Sequence, residues 1–288
     1  PPVSAAKVCA GLQPRRGQLI NGMRVLNTLG TRSENAVVVA VRLTPSIWRK
    51  VRACVEHQSR RTFAAKFDLS DHGLLRREQE LLARARHPHV LATSSVFVEH
   101  RGPSLCGRMY RFFVMPRFHT DAHDMLNNLK RPMKKTKRLA LCRQTGEGLL
   151  AMHAVGIVHG DIKLENLLVH KTADGGFHVC VADLGSAYDL WSDEPHSDNA
   201  HTINFSAPEV ICNVEITPAV DVFSLGCVYA ELALYQSFFF LTDEELEEDR
   251  KDVELLHLHH TKVLNSTQSF HPTVAADRDY FQEDKTLR

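Results

Sequence analysis

The period of hydrophobic and polar positions changes several times along the first third of the chain, and each change marks an element. Between Met23 and Leu43 the β-branched run Val37-Val38-Val39-Ala40-Val41 predicts a strand. An earlier strand precedes it, and a break from Gly30 through Asn35 separates the two. Ile47, Val51 and Val55 recur at four-residue spacing behind Pro45, which predicts a helix over 44–60. Strand character returns from Thr62 to Leu69. A helix rich in Leu, Arg and Glu is expected from about Gly73 to Arg86, ended by His87-Pro88 because a proline steers the residue before it out of the α region. Strands over Val90–Glu99 and Met109–Phe118 would complete a small, sheet-rich unit.

Beyond that unit the pattern is mostly helical. A long helix is expected over 135–154, and further ones over Val220–Tyr235 and Thr242–Leu264. Strand character reappears only as a hairpin, Leu167–His170 and His178–Ala182, turning at Asp174-Gly175-Gly176. Residues 1–21 contain Pro1, Pro2, Gly11, Pro14 and Gly17 with little periodicity and are expected to form an N-terminal arm.

Composition narrows the function classes. The 288 residues, 43% apolar and 24% charged, suffice for a sizeable core. Lys and Arg number 35 against 34 Asp and Glu, a formal charge of +1, which speaks against a general nucleic-acid or membrane binder and confines anion binding to local features. The seven cysteines are scattered without a CxxC pair, so free thiols in a reducing, cytoplasmic compartment are the expectation. No apolar run reaches the roughly 20 residues of a membrane span, and Pro1-Pro2-Val3 opens no signal peptide. Because the first residue is not Met, a removed targeting segment, and with it a secreted protein, stays open.

The chemistry concentrates in His159-Gly160-Asp161-Ile162-Lys163-Leu164-Glu165-Asn166, between the long helix and the hairpin. Phosphoryl transfer needs a carboxylate to orient a hydroxyl, a cation for the moving group and a metal ligand, all close together. Asp161, Lys163 and Asn166 could supply them from one short loop, and Asp183, in Asp183-Leu184-Gly185 after the hairpin, could face the same metal.

These stretches resemble the H-R-D-x-K-x-x-N and D-F-G motifs of the eukaryotic protein kinase superfamily, and the resemblance runs from about Met23 to Leu234. Ser206-Ala207-Pro208-Glu209 is similar to A-P-E, and Asp221 matches the carboxylate that holds the catalytic loop in that family. Thr202 matches the activation-segment threonine that bonds the catalytic Asp and Lys. Ala64-Ala65-Lys66 resembles the end of V-A-I-K, and Glu78 stands where the family's lysine finds its partner. The resemblance implies an α+β, bilobal kinase fold, with a small antiparallel sheet lobe over 22–118 and a mostly helical lobe over 119–288, truncated or divergent after about 236. It implies a Ser/Thr rather than a tyrosine kinase, since Lys163 follows Asp161 by two places.

The same resemblance assigns roles. Asp161 and Lys163 would be catalytic, and Asn166 and Asp183 would hold Mg²⁺ or Mn²⁺. Lys66 and Glu78 would position ATP, and Val37, Ala64 and Leu168 would sandwich the adenine. Met115 would stand at the gatekeeper and hinge, Gly30 would begin the phosphate-covering loop, and Leu82, His159 and Leu184 would stack in the core. ATP and a protein substrate are the implied partners.

Besides the divergence after about 236, the chain departs from the family in its covering loop and in its catalytic loop. Only Gly30 survives of the glycine loop, with Arg32 and Asn35 at the later glycine positions. A helix in place of that loop, as in some apicomplexan secreted kinases to which the chain bears a weak resemblance, is the alternative. Gly160 replaces the arginine that in the family answers a phosphorylated activation segment. Two other readings of the same residues stay open: a pseudokinase serving as a binding or allosteric scaffold, and a small-molecule phosphotransferase of kinase-like fold. His257, His259 and His260, and the basic residues from Lys130 to Arg138, are expected to be solvated faces.

Overall fold

Alternation decides the small lobe. In the strand Ala36–Leu43 (β3), Val37, Val39 and Val41 point to one side of the sheet, and Val38 and Ala40 point to the other. The computed structural model describes residues 14–20, 22–33, 36–43, 62–68, 74–94, 97–100, 109–129, 131–192, 202–211 and 216–234. The helices expected over 44–60 and 242–264 lie outside these residues.

Leu19–Ile20 (β1), Met23–Ser33 (β2), β3, Thr62–Asp68 (β4), Phe97–His100 (β5) and Met109–Pro116 (β6) form one antiparallel sheet in the order β1-β2-β3-β4-β6-β5. Its outer face buries Val37, Val39, Val41, Phe63, Ala65, Phe67, Phe112 and Val114 as a core of its own, with the Phe67 and Phe112 rings 4.9 Å apart. The inner face joins the main core, against which the helix Leu74–Arg84 (α1) lays Leu75, Leu81 and Leu82.

Of the strand expected over Val90–Glu99, only the end is strand among the described residues, in Phe97–His100. Before it, the backbone bonds elsewhere: Leu91 N–H donates to the Val181 carbonyl and Val181 N–H to the His89 carbonyl, both at 2.9 Å. The apolar residues Val90 and Leu91 are buried by docking on the other lobe rather than by extending the sheet.

The large lobe is built on the helix Lys135–His153 (α3), which packs against the helix Ala219–Leu234 (α5) and the hairpin of Leu167–Lys171 (β9) and Phe177–Val181 (β10). Gln144 fastens α3 to β10, donating to the Phe177 carbonyl and accepting from the Val179 N–H. The short strand Thr120–Asp121 (β7) adds to this hairpin and leads into the helix Ala122–Asn127 (α2). Ile157–Val158 (β8) pairs with Tyr188–Asp189 (β11), and the helix Pro208–Ile211 (α4) precedes α5. No helix among the described residues is long and apolar enough to cross a membrane.

Candidate active site

Between the lobes lies a cavity of about 350 Å³. Cross-strand neighbours share a face. Val38 stands opposite Lys66, Ala40 opposite Ala64, Lys66 opposite Phe113 and Ala64 opposite Met115. Val38, Ala64, Lys66, Phe113 and Met115 therefore face the cavity together, and Leu29, Leu168 and Ala182 close it.

Val37, expected against the adenine, is on the wrong face. It is 1% exposed and packs in the outer core, and Val38 lines the cavity in its place. The pairing of β2 with β3 shifts between Thr28 and Gly30 and again between Thr31 and Ser33. The face itself follows from the regular pairing of β3 with β4, where Val38 stands opposite Lys66 and Val37 opposite Phe67, and a slip of one residue exchanges the faces. Gly30 sits in β2 opposite Val38, and Leu29 beside it reaches the cavity. The covering element is thus strand through Ser33 and again from Ala36, and not a helix. Glu34 and Asn35 lie outside the described residues.

Lys66 Nζ bonds Glu78 Oε1 and Oε2 at 2.9 and 2.7 Å and Asp183 Oδ1 at 2.8 Å. The side chains of Lys66 and Glu78 are only 9% and 4% exposed. Burial alone would lower the lysine's pKa, but the carboxylates of Asp183 and Glu78 outweigh it and hold the ammonium charged. Glu78 comes from the face of α1 that buries Leu75 and Leu82, three and four residues away. Asp183 is in the left-handed region (φ 68°, ψ 74°), a strain of roughly 1–3 kcal/mol for a residue with a Cβ.

Three donors converge on Asp161. Thr202 Oγ1 donates to its Oδ1 at 2.7 Å, Lys163 Nζ lies 2.7 Å from its Oδ2, and Asn166 Nδ2 donates to the same oxygen at 3.0 Å. Lys163 also donates to Thr202 Oγ1 at 2.6 Å. Ile162 and Leu164, fully buried, pin this loop from beneath while Asp161 and Lys163 point the other way. Asp221 at the start of α5 holds it from behind. Its buried carboxylate accepts the backbone N–H groups of His159 and Gly160 at 2.8 and 2.9 Å and bonds His153 Nε2 at 2.8 Å. His159 Nε2 bonds the Ala182 carbonyl at 3.0 Å, tying the loop to the residue before Asp183. Leu82 and Leu184 share the main core, and His159 is fully buried.

Asn166 and Asp183 both line the cavity and offer hard oxygen donors, the kind that Mg²⁺ and Mn²⁺ take. The Asn166 amide is oriented by donating to the Asp161 carbonyl and carboxylate, which leaves its own oxygen on the other side of the group.

Sequence reasoning missed the rim of the cavity, formed by Phe118 and Asp121 among others. Asp121 accepts from the Asp124 N–H at 2.8 Å and caps α2, and an Asp directly before a helix was the available signal. It also missed Arg84 and Asp189, which pair across 105 positions.

Residues 49–279 match the family model of the protein kinase domain. Among curated relatives, the serine/threonine-protein kinase PLK4 of Drosophila yakuba is 33% identical over 156 residues, and that of Drosophila melanogaster 32% over 156. The PLK4 of Drosophila willistoni is 32% identical over 163 residues. The matched stretches cover 54% to 56% of this chain and 19% of each relative.

Proposed function

Because this chain belongs to the protein kinase family, we propose that it is a working Ser/Thr kinase that carries the γ-phosphoryl group of ATP to protein hydroxyls. The observation that carries this reading is Asp161, held by Thr202, Lys163 and Asn166. A carboxylate has about four acceptor sites. Three are taken, and the one left, on Oδ1, is where a substrate hydroxyl would be oriented and its proton accepted. Lys163 has a third N–H to give to an oxygen of the moving phosphoryl group. Lys66, kept charged by Glu78 and Asp183, would draw in the phosphates of ATP. Val38 and Ala64 above and Leu168 below form an apolar slot for the adenine, with Met115 at its inner end.

A divalent cation, held by Asn166 and Asp183, would neutralise phosphate charge when bound. The names of the relatives, all serine/threonine-protein kinases, support hydroxyl side chains as acceptors. The scaffold reading is motivated by the covering hairpin, where Gly30 alone remains of the glycines that admit close backbone approach to phosphates.

One experiment separates the two. Labelled γ-phosphate is offered with Mg²⁺ to a generic basic protein, using the parent and Asp161→Asn. Transfer by the parent that falls by at least about a hundredfold in the variant supports the kinase. ATP-dependent thermal stabilisation without any transfer would leave the scaffold.

A further inference from the structure

Beyond the Lys66–Glu78–Asp183 triad, α1 is fastened to the large lobe a second time. Arg84, in the last turn of α1, donates from Nη1 and Nη2 to Asp189 Oδ2 and Oδ1 at 2.9 and 2.7 Å, a bidentate fork. Its guanidinium carbon lies 5.5 Å from the ring centre of Trp191. Seven residues earlier on the same helical face, Arg77 donates to the Ala187 carbonyl at 2.9 Å.

The receiving segment is itself held on its far side. Asp189 pairs with Ile157 through β8, Leu190 N–H donates to the Gly156 carbonyl at 2.8 Å, and Trp191 packs so closely on Gly156 that a Cβ there would lie 2.6 Å from the ring. The Tyr188 ring fills the space over Gly160. The hydrogen bond from Arg84 holds the Asp189 carboxyl below its ordinary range, so the fork persists in its charged form at neutral pH.

The position of this pair gives it a task. Glu78 and Arg84 are six residues apart, about 9 Å along one helix, so a displacement of α1 at Arg84 is a displacement of Glu78. At the other end, Asp189 follows Asp183 by six residues, with a short helical turn between them. The two carboxylates on Lys66 come one from each of these elements. We propose that Arg84 and Asp189 are positioning residues for phosphoryl transfer, a clamp that sets α1 against the chain after Asp183 through a permanent carboxylate and so needs no phosphate on the segment. This rests on the catalytic reading above.

The test uses the whole chain with Mg²⁺-ATP and a basic protein substrate. The parent is expected to keep its kcat after phosphatase treatment. Arg84→Ala and Asp189→Asn each lower kcat roughly ten- to a hundredfold, the worth of a charge-assisted hydrogen-bonded pair, with a smaller change in the KM for ATP. The double variant falls no further than either single one, and Arg84→Lys, which keeps the charge but not the fork, lies between. Hydrogen exchange over 74–84 quickens in the variants. Asp189→Asn keeps shape and volume, so a reading survives if Arg84→Ala does not fold. An active parent whose variants retain full kcat, or whose kcat is lost with phosphate, would overturn this inference alone. A parent that transfers no phosphate would overturn the catalytic reading and the role of the pair in it.

Discussion

Gly160 shows how much one residue can be asked to do. Its φ is +73°, in the left-handed region, and a Cβ would stand 2.7 Å from Tyr188 Cε2. Its N–H is one of the donors to Asp221. Gly160→Ala is therefore expected to destabilise by about 2 kcal/mol, from backbone strain plus displacement of the ring. A denaturant midpoint equal to the parent's would contradict that. A second prediction concerns protons. Glu231 on α5 is pushed up to about 7, chiefly by burial and then by the nearby carboxylate of Glu165, with His123 working the other way. A carboxyl whose folded pKa is raised binds its proton more tightly in the native state. Its stabilising contribution is complete below the ordinary Glu value and is lost as pH rises through 7. Glu231→Gln should remove this slope and stabilise the chain at pH 8 by about 2 kcal/mol, while changing little at pH 5. Thermal unfolding of the two proteins at both pH values checks it, and parallel shifts would refute it.

At the scale of elements, the two faces of β3 separate stability from binding. Val37→Ala hollows the outer core and should cost about 1–2 kcal/mol without altering the KM for ATP. Val38→Phe should fill the slot and raise that KM, leaving the outer core intact. Equal effects on KM from both would mean that the faces are assigned wrongly. This pair also marks the limit of what the sequence discloses. Asp161, Lys163 and Asn166 were legible because their chemistry needs them within one loop, and Asp183 because a hairpin of recognisable pattern returns it there. Lys66 and Glu78 were legible only in their order before that loop. Which valine lines the cavity depends on the register of β3 on β4, where Val38 and not Val37 stands opposite Lys66, and nothing in a run of three valines records it. Val90 and Leu91 have the composition of a strand, but Val90 N–H turns back to the His87 carbonyl and Leu91 N–H reaches Val181 of β10, some ninety positions away. Arg84 and Asp189 look like surface charges until the fold brings them together.

Across the whole molecule, the described residues join the small lobe to the large one not only through Lys66 and α1 but also along two backbone lines. One is the docked loop after α1. There Gly148 of α3 passes beneath the His89 carbonyl so closely that a Cβ would lie 2.5 Å from the oxygen and 3.3 Å from Val181 Cγ2. Gly148→Ala should cost about 1–3 kcal/mol by prising this contact apart, although alanine is the better helix former. Stability at or above the parent's would show that the loop yields. The other line is the connection after β6, where His119 N–H donates to the Val169 carbonyl at 3.1 Å and β7 pairs with β9. Two anchored points define an axis, about which the small lobe could turn only once the Lys66–Asp183 and Arg84–Asp189 links had parted. Any swing of the small lobe turns about the line through them, as a door turns on its pins, and displacement grows with distance from that line. Met115, next to the second point, travels little, and Leu29 out on β2 travels far. Lys66 already holds Asp183 across the gap, so the latch on this door is part of the chain itself.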